Sequence, residues 1–208
     1  MVDVSEVLIL AKTRMTEKFC VGALDLDDGR SLRLLTDKGF NQPLNAKYEV
    51  GDVWELRYRP LPPERLEAPH TEDVRVVRRR LGYKLPIPDV IDIIQQYLDV
   101  PTAQPHDLFG GMLRLTHANR ARILRDGEIP QFSTSFWRLN EDLRFCEMTR
   151  DGKAKHYYRE SKSAFEVPYV GIAPARDVLP AKTLLRFSLT RWFEPNPGYW
   201  LQLSGWFI

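Results

Sequence analysis

Apolar and polar positions follow one another along most of this chain in short runs, each closed by turn residues. Val7-Leu8-Ile9-Leu10-Ala11 is uninterrupted, the pattern of a strand buried on both faces. A second run spans residues 19–26. Asp27-Asp28-Gly29-Arg30 then predicts a hairpin turn, because Asp-Gly accepts the positive φ a tight turn needs. The return strand, residues 31–35, puts Leu32 and Leu34 on one side and Arg33 on the other. Residues 53–59 alternate cleanly, with Trp54, Leu56 and Tyr58 against Glu55, Arg57 and Arg59. Four prolines within residues 60–69 predict a loop, and residues 74–78 a fifth strand.

The period changes once. Ile87, Val90, Ile91, Ile94 and Leu98 form a single stripe at helical spacing, entered through Pro86 and Pro88 and stopped by Pro101. Such a stripe must be buried, so the helix is expected to pack on a barrel or between two. Strand signals then resume at residues 112–115, 136–139, 143–148, 156–159, 184–190 and 200–208. Asp151-Gly152 marks a hairpin turn, and Thr116 is read as the cap of a brief helix over residues 118–125. The fold class expected is mainly β with a few helices: two consecutive small OB-like barrels joined by an amphipathic helix. The domains expected are residues 1–84, a connecting helix at 85–104, and residues 105–208.

Composition changes this picture little. The chain has 208 residues, 43% hydrophobic and 28% charged, which suits a soluble globular protein. It lacks any run of about 18 apolar residues, so no membrane span is expected. The first residues do not read as a secretory signal, so a cytoplasmic location is expected. Cys20 and Cys146 are then read as free thiols. The net charge of +2 is too small to argue for nucleic acid, but its distribution is uneven. Between residues 57 and 84 eight basic residues face four acidic ones, and Arg114, Arg120, Arg122 and Arg125 follow without an acid near them until Asp126. Patches of this kind are either solvated surface or phosphate contacts.

No catalytic motif stands out. The chain has no phosphate-binding glycine loop, no Gly-x-Gly-x-x-Gly, no His-Glu-x-x-His and no Cys-x-x-Cys, so neither a metal nor a cofactor is expected. His70-Thr71-Glu72-Asp73 suits a metal site or a proton shuttle, but pinning of the proline-rich loop by His70 is the stronger reading. Cys20 reads better as a small buried hydrophobe than as a nucleophile. Lys12-Thr13-Arg14 leaves the first strand positioned to reach a phosphate. In the last strand, alternation puts Trp200, Gln202, Ser204 and Trp206 on one face, a possible stacking platform for bases if the two rings are not buried.

Ile9-Leu10-Ala11-Lys12-Thr13-Arg14, Cys20-Val21-Gly22, Leu32-Arg33-Leu34, Val50-Gly51-Asp52 and His70-Thr71-Glu72-Asp73-Val74 occur in an order that resembles the dual OB-containing domain of small prokaryotic proteins. Ser188-Leu189-Thr190 and the Trp-rich ending are similar too. The resemblance covers nearly the whole chain. It implies two OB-like barrels and a nucleic-acid-linked accessory role, as in bacterial defence systems. The first expectation is therefore a non-enzymatic protein binding single-stranded nucleic acid. Its site residues would be Lys12, Arg14, Arg33, Arg57, Arg59 and His70 in the first barrel, and Arg144, Trp200 and Trp206 in the second. The alternatives are a subunit docking on a larger effector protein, an enzyme built around Cys20 or His70 and Glu72, and a PUA-like binder of RNA or modified bases.

Overall fold

The computed structural model describes residues 3–102, 105–150, 153–160 and 165–208. The chain forms two compact units, Met1–Leu98 and Asp99–Ile208.

The first unit holds six strands: β1 (Asp3–Met15), β2 (Lys18–Asp25), β3 (Ser31–Leu35), β4 (Gln42–Pro43), β5 (Asp52–Pro60) and β6 (Asp73–Lys84). The sheet runs β1-β5-β6-β3-β2, and β1 also pairs with β2, so five strands close on themselves; β4 adds to β2. The β3–β6 pair is parallel and the other pairs antiparallel. This is the strand order of an OB barrel. The expected turn at residues 27–30 forms, with Gly29 at φ 74°. The interior is built from Val7, Ile9, Val21, Ala23, Leu32, Leu34, Trp54, Leu56 and Tyr58, closed by Ala46 and Tyr48. At one end a buried carboxylate is fully served: Asp25 accepts from the Ser5 and Tyr58 hydroxyls and from the Asp27 N–H. Burial, together with this carboxylate, pushes the Tyr58 hydroxyl up.

Leu8, Leu24 and Val53 share a register row, and all are wholly buried although they point away from the barrel interior. Helix α1 (Ile87–Tyr97) follows β6 and buries Val90 and Ile94. Near its start Val90 approaches Gly51, and at its end the Tyr97 hydroxyl donates to the Leu26 carbonyl. The helix has no side-chain N-cap, so its stability comes from docking. Val90 and Ile94, both fully buried, contribute about 1.5–3 kcal/mol each. Gly51 makes the docking possible. Its φ is +90°, and a Cβ there would lie 2.9 Å from the Leu85 carbonyl oxygen. Gly51→Ala should therefore cost more than about 1 kcal/mol in thermal or urea unfolding, with the helix amides losing protection first in hydrogen exchange.

The second unit holds β7 (Arg114–Leu115), β8 (Ala121–Ile123), β9 (Thr134–Arg138), β10 (Leu143–Arg150), β11 (Lys153–Glu160), β12 (Glu166–Pro168), β13 (Val178–Leu179), β14 (Leu184–Leu189) and β15 (Tyr199–Phe207). They form a sheet β12-β11-β10-β13 and a sheet β7-β8-β15-β14-β9, joined by a parallel bridge from Tyr169 to Leu203. This is an OB-like half-barrel. Its core brings Tyr158, Phe165 and Val167 against Trp137, Leu185, Phe187, Tyr199, Leu201 and Leu203. The fold class is thus mainly β with two OB-like parts.

The brief helix expected at residues 118–125 is not formed. Thr116 and Arg120 close a hairpin between β7 and β8, with Asn119 left-handed at φ 55°. Asparagine tolerates that conformation, and one such residue is enough to end a helix. The expected turn at Asp151-Gly152 lies outside the described residues.

Candidate nucleic-acid interface

The run Arg78-Arg79-Arg80 sits on β6, which extends well past the strand expected from the sequence. Alternation splits it. Arg79 turns to the barrel side, where its guanidinium lies 4.9 Å from the Tyr48 ring and 5.9 Å from Trp54. Arg78 and Arg80 face outward, opposite Arg57 and Glu55 of β5. Arg80 is neutralised by Glu55 at 2.7 Å. Arg57 and Arg78 are not: both are exposed, directly opposed, and without an ion pair or side-chain hydrogen bond among the described residues. Arg59 is also exposed and unpaired, in the next outward row opposite Arg75. On the other side of Arg80, Tyr83 lies on the same face, 47% exposed, after a second irregularity in the pairing. Like charges held opposite each other destabilise a sheet, so this row is a standing repulsion that an anion relieves. The positive strip is thus Arg57, Arg78 and Arg59; in the row beyond it Glu55 and its β1 neighbour Glu6 meet Arg80, and Glu6 accepts from the hydroxyl of Tyr83 on the far side.

The other site residues expected in the first barrel fall elsewhere. Arg33 is engaged within the barrel. Its Nε and Nη2 both donate to the carboxylate of Asp73, in a pair whose side chains are 17% and 2% exposed. Burial opposes the guanidinium's charge, but Cys20, Asp73 and Glu72 outweigh it and raise the pKa. Arg33 is thus a structural cation. Lys12 is turned by a bulge: Leu10 is an extra residue between Ile9 and Ala11, so the residues beyond it switch faces. Lys12 then sits at the barrel mouth, donating to the Ala46 carbonyl at 2.9 Å and lying 4.4 Å from the Phe19 ring. Arg14, further out on the same face, is exposed and unpaired. His70 is buried inside the proline-rich loop, bridged to Glu67, and does not present itself to a polyanion. Among the described residues no group of three or more His, Cys, Asp or Glu is placed to hold a metal.

In the second unit Arg144 is exposed on β10, opposite Arg159, which is held by Glu166 at 2.9 Å. The two-tryptophan platform does not exist. Ser204 is an extra residue between Leu203 and Gly205 in the pairing with β14, and this bulge reverses the alternation. Trp206 therefore joins the core side, with its ring 4.6 Å from Tyr169 and 5.8 Å from Tyr158. Trp200 stays on the opposite face and is 7% exposed. Its indole N–H donates to the Asn196 carbonyl, and Arg120 and Arg122 lie 4.7 and 5.1 Å from its ring. It does not offer an open face to a base. Arg125 likewise covers Trp192, at 4.5 Å.

A closed barrel in OB order followed by an OB-like half-barrel defines a tandem OB-fold protein. The chain belongs to the dual OB-containing domain family, whose model matches residues 5–206. No curated protein matches it by sequence. Two solved structures are similar at low score. One, described as "Structural mimicry for functional antagonism", has 10% identity and a TM-score of 0.34, covering 98% of this chain and 91% of the other. The second is a murine DNA binding protein bound with double-stranded DNA, at 11% identity and a TM-score of 0.30, covering 99% of this chain and 96% of the other. At these scores neither likeness bears on the ligand of this chain.

Proposed function

We propose that this protein binds single-stranded nucleic acid through the outer face of β5 and β6. The observation that carries the reading is the uncompensated Arg57–Arg78 row, continued by Arg59. Arginine forks match phosphate geometry, and fixed phosphate contacts track a backbone without reading its sequence. Tyr83 supplies a ring for one base, which favours a single strand over a duplex. OB barrels as a class bind oligonucleotides, sugars and proteins, so the class permits this ligand without dictating it.

Three phosphate contacts on a single strand give a log–log salt slope of about −2, or a loss of roughly 20-fold between 50 and 200 mM salt. Fluorescence anisotropy with labelled single-stranded DNA, single-stranded RNA and duplexes reads this directly. Affinity that ignores salt, or no binding at 50 mM, rules the proposal out.

A further inference from the structure

Most of β6 has a neighbour on one side only. It pairs with β5 over residues 74–84, whereas β3 pairs with it only at residues 73–75. Along residues 76–84 the second edge meets no strand among the described residues, and no backbone hydrogen bond fills it. Residues 77–84 are all exposed. Such an edge presents a row of unpaired N–H and C=O groups, a template for another extended chain. The pairing with β5 is irregular at Val77 and again at Gly82, each an extra residue on β6. These bulges bound the open edge, so residues 78–81 are its regular stretch.

The charges on that stretch select the occupant. Arg78 faces outward and Arg79 the barrel side, and neither has a carboxylate partner among the described residues. Arg80 is already paired with Glu55. Leu81 lies on the same side as Arg79, opposite Trp54, and is 53% exposed. A second copy of the chain is disfavoured. Antiparallel pairing of residues 78–81 with themselves sets Arg79 of each copy opposite Arg80 of the other, and like charges so placed repel. An acidic strand meets attraction instead. We propose that this edge takes up an extended acidic segment of a partner protein as an added antiparallel strand. Successive residues of an added strand alternate between faces, so two adjacent carboxylates meet Arg79 and Arg78 on opposite faces. The residue beside Leu81 then lies two places before the first acid and is apolar. The motif is therefore an apolar residue, any residue, and two acids. Main-chain hydrogen bonds hold the segment, and the two arginines choose its charge. The nucleic-acid reading above uses the outward face and shares only Arg78 with this edge.

The probe is the fluorescein-labelled peptide Gly-Thr-Ile-Thr-Glu-Glu-Thr-Thr, titrated with the full chain by fluorescence anisotropy at low salt. Replacing both glutamates by glutamine should weaken binding about 10-fold, from two cross-strand charge pairs at about threefold each. Methylating alternate backbone nitrogens of the peptide separates strand addition from charge attraction. In one phase it removes the N–H groups turned to β6 and should abolish binding; in the other it should not. The peptide should also slow amide exchange within residues 77–82. Arg79→Gln should weaken the peptide about threefold and leave single-stranded DNA affinity within twofold, because Arg79 lies off the outward strip. No binding, equal affinity for the glutamine peptide, or indifference to the phase of methylation overturns the proposal. A chain that sediments as a dimer, with these amides protected before peptide is added, holds a second copy on the edge and overturns it too. So does single-stranded DNA that protects these amides when the peptide does not. Oligonucleotide binding with the expected salt slope, by a chain that ignores the peptide, sinks this proposal alone. Peptide binding by a chain that ignores oligonucleotides sinks the nucleic-acid reading alone.

Discussion

Arg33→Ala should destabilise the first unit by about 3–5 kcal/mol in urea unfolding, and leave the nucleic-acid affinity of the folded protein within twofold. The cost comes from what remains. Asp73 is 2% exposed, and its carboxylate takes both guanidinium donors. Without Arg33 it is a buried charge with its main counter-ion gone. The pair also sits where the barrel closes, because β3 and β6 meet in parallel at Arg33 opposite Asp73. The Arg33 N–H donates to the Glu72 carbonyl in the same place, so backbone and side chain fasten one seam. The double variant Arg33→Met, Asp73→Leu should recover most of the loss, since it removes both desolvated charges together. If Arg33→Ala instead leaves stability unchanged and weakens oligonucleotide binding, Arg33 is a ligand contact after all.

The case of Arg33 shows what the sequence discloses and what it hides. Alternation within a strand is legible: Leu32 and Leu34 turn in and Arg33 out, as the pattern says. The turn at Gly29 and the helical stripe on Val90 and Ile94 are legible for the same reason, that local geometry has a fixed period. Which outward residues stay free is decided by pairing over long sequence separations. Forty residues separate Arg33 from the Asp73 that neutralises it. The bulges at Leu10 and Ser204 matter still more. Each adds one residue to one strand, which no hydrophobic pattern announces, and each flips everything beyond it. That is why Lys12 turns to the barrel mouth and why Trp200 and Trp206 do not share a face. Conversely, the run Arg78-Arg79-Arg80 is plain in the sequence as charge, yet only register separates its members into one free, one stacked on aromatic rings and one ion-paired. Tyr83 escaped the list of site residues because β6 runs six residues beyond the strand expected at residues 74–78, and Arg78, inside that strand, because only long-range pairing shows which of its arginines stay unpaired.

Arg57→Glu should lower affinity for single-stranded nucleic acid about 25-fold at 0.1 M salt while stabilising the fold. Each single-strand phosphate contact contributes a factor of about five at that salt, and this substitution removes two. One is lost with Arg57 itself. The other is lost because Arg78, directly opposite, gains a carboxylate partner and no longer needs phosphate. The same new pair replaces a cross-strand repulsion, so thermal stability should rise by up to about 1 kcal/mol. Opposite signs in binding and stability are the signature of a surface kept under electrostatic tension for its ligand. Damage to the fold moves both downward. Arg30→Ala is the matched control. It removes an exposed arginine of the first unit that already has Asp28 as its partner, and should change affinity less than twofold. If Arg30→Ala weakens binding as much as Arg57→Glu, the protein answers to its total charge and the β5–β6 strip has no special standing. If Arg57→Glu stabilises the chain and leaves binding intact, the strip is solvated surface and the ligand lies elsewhere.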